Sequence, residues 1–229
     1  KKAHSFALDY MEKVLGAKLI KPSVKVPAPR FEIPDSWLDG ETADVYFPRT
    51  VEILKKEGIN PLATMEVFPR RAGILCGIEE VKALLAEVLP KDGCEVWALS
   101  QGEPFDKKEV VLRIKAPYQS YGTYETAYLG ILSHCSGWAT AARECVDAAQ
   151  GIPVISFGAR HVHPSVVGTM EYSAVVGGCT GCASTAGAKL AGLKPTGTIP
   201  HALIIILGST AKATLAFDKH MPPEVPRIA

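Results

Sequence analysis

From Pro153 onward the sequence repeats one unit about every 20 residues: a short apolar run, a polar or glycine-rich loop, then a helical stretch. The runs are Pro153–Ser156, Ala174–Val176 and Pro195–Thr198, followed by helical stretches at Pro164–Tyr172, Ser184–Leu193 and Lys212–His220. Val225–Ala229 reads as one more strand beginning. Such a period is the signature of a parallel sheet with helical crossovers. On this reading Arg160, Thr180 and His201 each lie just past the C-terminal end of a strand, 20 and 21 residues apart. In barrels and open α/β sheets that edge is where ligands bind.

Upstream the pattern changes. Residues 1–40 form an N-terminal arm: Phe6–Leu15 has helical spacing, and Lys21–Pro34 holds four prolines and reads as extended chain. Residues 41–120 read as an α+β domain. It opens with a helix or turn-then-helix over Glu41–Lys56, closed by Gly58. Strands follow at Met65–Phe68, Gly73–Cys76, Val96–Leu99 and Val110–Ile114, with one amphipathic helix over Ile78–Leu89. Tyr121–Gln150, rich in alanine and broken by Gly122, Gly130 and Gly137, reads as two buried helices leading into the βα units.

Charge excludes some partners. With 25 basic and 24 acidic residues the net charge is +1, and nothing draws the chain to nucleic acid or an anionic membrane. The longest apolar run, Ala202–Leu207, is far below the roughly 20 residues of a spanning helix. Lys1-Lys2 precedes no apolar core of a signal peptide, and six scattered cysteines do not make a disulfide scaffold. These features fit a cytoplasmic protein.

Each candidate residue has a plain alternative. Arg160 could hold a carboxylate or phosphate bidentately, or simply cap the next helix. His161 and His163 form an H-x-H pair, more often a loop feature than a metal site. The run Gly177-Gly178-Cys179-Thr180-Gly181-Cys182 allows close backbone approach to an anion but matches no nucleotide fingerprint. Cys179 and Cys182 without a second pair read as small buried thiols. His201 either caps a helix or serves as nucleophile or general acid at a barrel mouth. For Asp44-Val45-Tyr46-Phe47 the default is core packing.

Taken together, five blocks resemble nicotinate phosphoribosyltransferase of the compact, archaeal-type branch. They are Thr42–Thr50, Tyr124–Ala127, Ser156–Pro164, Gly177–Cys179 and Gly197–Leu203, in the order and spacing of that family. The resemblance implies an α+β N-terminal domain beside the N-terminal part of an irregular type II phosphoribosyltransferase α/β barrel, with residues 121–229 holding the helical linker and first βα units. It implies transfer of phosphoribose from 5-phosphoribosyl pyrophosphate to nicotinate with Mg²⁺ present, ATP coupling, and a homodimer with its site at the interface. Phe157 and the partner's Tyr46 would stack on the two faces of the pyridine ring. Arg160 and Thr198 would face the base, and His201 would take a phosphoryl group from ATP.

Thr180 stands where relatives often carry an acid. That leaves a transferase for another pyridine or azole carboxylate, or for nicotinamide, and a catalytically degraded nucleotide-binding paralogue, as the competing readings. The 77 residues from Pro153 to Ala229 hold three βα units, whereas eight units take roughly 250 residues. The barrel is therefore expected to be incomplete here, with the family's remaining phosphate loops and catalytic carboxylates beyond Ala229.

Overall fold

The computed structural model describes residues 31–228. The expected helix at Phe6–Leu15 and most of the proline-rich arm lie outside the described residues. Helix α1 (Asp35–Leu38) leads to α2 (Tyr46–Lys56), which ends at Glu57 before Gly58 turns at φ +69°. Phe31 and Trp37 pack on the core, and the Phe31 ring meets Tyr172 edge-on at 6.0 Å, so the end of the expected arm is part of the packed structure.

Three strands form an antiparallel sheet: β1 (Leu62–Val67), β3 (Glu95–Ala98) and, between them, β5 (Leu112–Pro117). The middle strand sets the core. Leu112, Ile114 and Ala116 alternate inward and are buried, while Arg113 and Lys115 face out. Arg113 lies directly opposite both Glu66 and Trp97, and Lys115 opposite Glu95. The result is an Arg113–Glu66 pair in which Nε and Nη2 both meet Oε1 of Glu66, an Arg113–Trp97 cation–π contact at 5.8 Å and a Lys115–Glu95 pair at 3.2 Å. Such cross-strand pairs fix register as well as adding stability. The strand runs on to Pro117, past its expected end at Ile114, with Ala116 continuing the buried alternation and Leu62 pairing with Pro117. A second antiparallel pair joins β2 (Gly73–Ile74) to β4 (Pro104–Phe105).

Helix α3 (Ile78–Val88) starts from Gly77, whose φ of +89° and close approach to Ile131 suit only glycine. Ile78, Val81, Leu84 and Leu85 form its buried face. After a short turn of helix, α4 (Tyr118–Tyr121), the long α5 runs unbroken from Glu125 to Ala148. This corrects the expectation of two helices buried all round. Gly130 and Gly137 meet nothing on the side a Cβ would occupy, so they interrupt no packing. Tyr128, Ile131, Leu132, Cys135, Ser136 and Ala139 give α5 one buried face, and Leu129, Gly130 and Ser133 are exposed.

The βα part begins at β6 (Ile155–Ser156), which pairs in parallel with β7 (Gly181–Cys182). Between them runs α6 (Val167–Val176), and after them α7 (Thr185–Ala191). Ala174–Val176, expected as a strand, is the last turn of α6: its apolar residues face other helices, and strand pairing starts only at Thr180, whose N–H donates to Val154 O. Pro195–Thr198 forms no regular strand, yet Thr196 N–H donates to Cys182 O, and Ile199 N–H to Ile228 O. Helices α8 (His201–Leu207) and α9 (Thr210–His220) follow, bent 109° apart at Gly208-Ser209. No single described helix is long and apolar enough to cross a membrane.

Candidate functional site

The edge formed by the C-terminal ends of β6 and β7 gathers the chemistry. Phe157 caps, and Arg160 lies in, the 3₁₀ turn Gly158–His161 directly after β6, both exposed. No hydrogen bond or ion pair holds the Arg160 guanidinium among the described residues, so it caps nothing and remains available to an anion. Beneath the turn lies Met170: a Cβ on Gly158 would stand 3.0 Å from its Cε. His163 is spent locally, its Nδ1 2.7 Å from Ser165 Oγ and accepting from Ser165 N–H, as befits a helix start. Cys179 and Cys182 are two free buried thiols; burial and then the Glu171 carboxylate push Cys182 up to about 11.

Thr180 belongs elsewhere. It precedes β7 and pairs with Val154, at the opposite end of the strands from Phe157 and Arg160. Its assignment to the ligand edge followed from reading Ala174–Val176 as the strand. The residues that do follow β7 are Ala183 and Ser184, with Ala183 N–H donating to Ser156 O at 3.0 Å. Behind them stands Glu171, wholly buried, its two oxygens accepting from Ala183 N–H, Ser184 N–H and the Ser184 hydroxyl. The sequence carried one signal for it: a lone acid inside the apolar stretch Val166–Val176.

Thr198 and His201 are exposed, on the stretch that follows the Cys182–Thr196 bond. His201 opens α8 after Pro200, and its side chain caps no backbone group. Tyr46 lies on the N-terminal domain, also exposed rather than in the core: its hydroxyl donates to Asp44 Oδ2 at 3.0 Å, and Asp44 N–H donates to Thr126 Oγ1 at 2.9 Å. Asp44, foremost as acceptor of that bond, holds the Tyr46 phenol above its ordinary pKa. No ring contact joins Tyr46 to Phe157 within the chain; its ring neighbour is Phe47 at 4.5 Å. Among the described residues no three His, Cys, Asp or Glu side chains converge as a metal site. A cleft of about 580 Å³ lies away from this edge, between Val67–Ala72 and α5, lined by Phe68, Leu129, Leu132 and Ser133 with Arg70 and Arg71. The candidate site is the strand-end edge, where an exposed aromatic ring and an exposed guanidinium lie close together in sequence.

Comparison with known proteins fits this topology. The quinolinate phosphoribosyl transferase N-terminal domain matches residues 44–136 and the C-terminal domain of the same family residues 138–229. The chain belongs to the type II phosphoribosyltransferase family. Its fold follows the crystal structure of nicotinate-nucleotide pyrophosphorylase from Pyrococcus furiosus with a TM-score of 0.80 and 43% identity, over 87% of this chain and 52% of that one. A nicotinate phosphoribosyltransferase of Mycobacterium tuberculosis is 26% identical over 182 residues, 67% of this chain and 41% of the relative. A carboxylating nicotinate-nucleotide pyrophosphorylase of Mycobacterium leprae is 27% identical over 118 residues, 51% of this chain and 42% of the relative. The chain thus spans about two fifths of these curated relatives. The family boundary falls inside α5, so one continuous helix belongs to both domains.

Proposed function

We propose that the chain carries the base-binding part of a phosphoribosyltransferase joining nicotinate to 5-phosphoribosyl pyrophosphate, with nicotinate mononucleotide and pyrophosphate as products. The observation that carries this reading is the pairing of an exposed aromatic ring, Phe157, with an unpartnered guanidinium, Arg160, in one turn at the strand ends. Phe157 offers a stacking face for a pyridine, and Arg160 meets its carboxylate bidentately. Thr198 adds a hydroxyl on the neighbouring segment. Tyr46, exposed on the other domain and braced by Asp44, suits a second stacking face supplied by the partner of a homodimer. Holding the ring nitrogen against the anomeric carbon is the main catalytic task, since departure of pyrophosphate leaves an oxocarbenium-like ribose. Mg²⁺ would arrive with phosphoribosyl pyrophosphate, as part of that substrate. His201, a solvent-facing imidazole, is competent to accept a phosphoryl group from ATP when neutral.

A second reading draws on the relatives named nicotinate-nucleotide pyrophosphorylase. Quinolinate would be the base, and its extra carboxylate would leave as CO₂. Nicotinate is favoured because the turn offers a single unpartnered guanidinium for a single carboxylate.

Labelled nicotinate or quinolinate, phosphoribosyl pyrophosphate and Mg²⁺, with and without ATP, decide the matter. Nicotinate mononucleotide from nicotinate without CO₂ release supports the first reading; release of CO₂ from carboxyl-labelled quinolinate replaces it with the second. Since the chain is proposed to carry the base-binding part and not the whole reaction, failure to bind either base defeats both. ATP stimulation that survives His201→Ala removes the phosphoryl-acceptor role. Mixed Tyr46→Ala and Arg160→Ala protomers that regain no activity remove the shared site.

A further inference from the structure

Two consecutive residues of α6 support the two turns of the ligand edge. Met170 lies under Gly158 in the turn after β6, and Glu171 holds the turn after β7. Glu171 is fully buried, and no cation pairs with it among the described residues. Its Oε1 accepts from Ala183 N–H at 3.3 Å, and its Oε2 from Ser184 N–H at 2.7 Å and from the Ser184 hydroxyl. Ser184 Oγ accepts in turn from Gly187 N–H at 3.0 Å, capping α7. The approach is so close that a Cβ on Gly187 would stand 2.5 Å from the Glu171 Cβ.

A helix cap needs only the serine hydroxyl. A buried carboxylate adds a desolvation cost, and its three hydrogen bonds offset that. What it gains beyond a cap is the Ala183 amide, forked between Glu171 Oε1 and Ser156 O, the residue before Phe157. Glu171 therefore ties the two walls of the crevice together.

We infer that Glu171 is a positioning residue: by fixing the Ala183–Ser184 turn against Ser156–Phe157 it sets where the base lies. This rests on the pyridine-carboxylate reading above. In E171Q the amide NH₂ cannot accept from the donors on one side, so the turn loosens while the shape is kept.

With the full chain, the KM for nicotinate in E171Q is expected to rise about ten-fold, with kcat and the KM for phosphoribosyl pyrophosphate within about two-fold of wild type. S184A moves the same constant, and the double variant adds little. Equal losses with both substrates, tracking a lowered melting temperature, mark a merely structural role and overturn the inference. If E171Q does not fold, E171D with amide hydrogen exchange takes its place. Exchange at Ala183 and Ser184 should quicken while Ile114 stays protected, and unchanged protection at the two amides overturns the inference. A wild-type chain that neither binds nor converts a pyridine carboxylate defeats the proposed function. Exchange at those amides then still decides whether Glu171 fixes the turn.

Discussion

The two parts of the molecule bury their apolar residues in different ways. In the α+β domain Ile78, Val81, Leu84 and Ile114 are wholly inaccessible, whereas on α8 and α9 Ile205, Ile206 and Leu215 are more than 70% exposed. The cause is strand pairing. β5 is paired with β1 along its whole length and with β3 over Leu112–Lys115, so its inward residues meet α3 and α5 in one closed core. β6 and β7 share two residue pairs, and α8 and α9 pack chiefly on each other. An antiparallel sheet with helices on one face completes its core locally, while a βα array relies on successive units. The part with the tighter core thus holds the frame, and the looser part carries the ligand edge.

The sharpest test of that contrast is a pair of truncations. Leu84→Ala should lower unfolding free energy by about 2–5 kcal/mol, and Ile206→Ala by less than about 0.5, measured by urea denaturation. Equal losses would break the comparison.

Next in size is a contrast between two buried acids. Glu171 has three donors, whereas Glu80, 8% exposed, has no hydrogen-bond partner among the described residues, and burial pushes it up to about 7. Its folded pKa exceeds the unfolded value, so the folded state binds the extra proton. Its stabilising effect is complete below about pH 4.5 and is lost as pH rises through 7, a change of roughly 3 kcal/mol. Glu80→Gln should flatten this slope, matching wild type near pH 4.5 and exceeding it at pH 8 in thermal melts.

At the ligand edge Arg160→Ala should cut kcat/KM for nicotinate about 100-fold through KM, with an unchanged melting temperature because the side chain is exposed. Equal effects on the phosphoribosyl pyrophosphate KM would contradict its role. The smallest effect belongs to Thr180→Ala, expected to leave the nicotinate KM within about two-fold, since the residue lies at the far end of β7. A large change there would move the site.

Local pattern read some elements well and failed at others for identifiable reasons. Ile78–Val88 came through almost to the residue because its apolar face, its acidic first turn and Gly77 all agree. Ala174–Val176 did not, because a short apolar run has no period of its own: the same three residues close a buried helix as readily as they form a strand. A strand over Ala174–Val176 would put Thr180 at the C-terminal end; with the strand at Gly181–Cys182, Ala183 and Ser184 stand there instead.

The sequence by itself determined the strand ending at Ser156, the helix over Ile78–Val88 and the turn that follows Phe157 and bears Arg160. These depend on spacing and on residues a few positions apart. Only the tertiary structure decided which end of β7 stands beside Phe157 and Arg160, that α5 is one helix, and that Glu171 holds the turn after β7. Each of these rests on hydrogen bonds or packing between residues 10 or more positions apart, such as Ala183 with Ser156 and Glu171, and no local pattern encodes them.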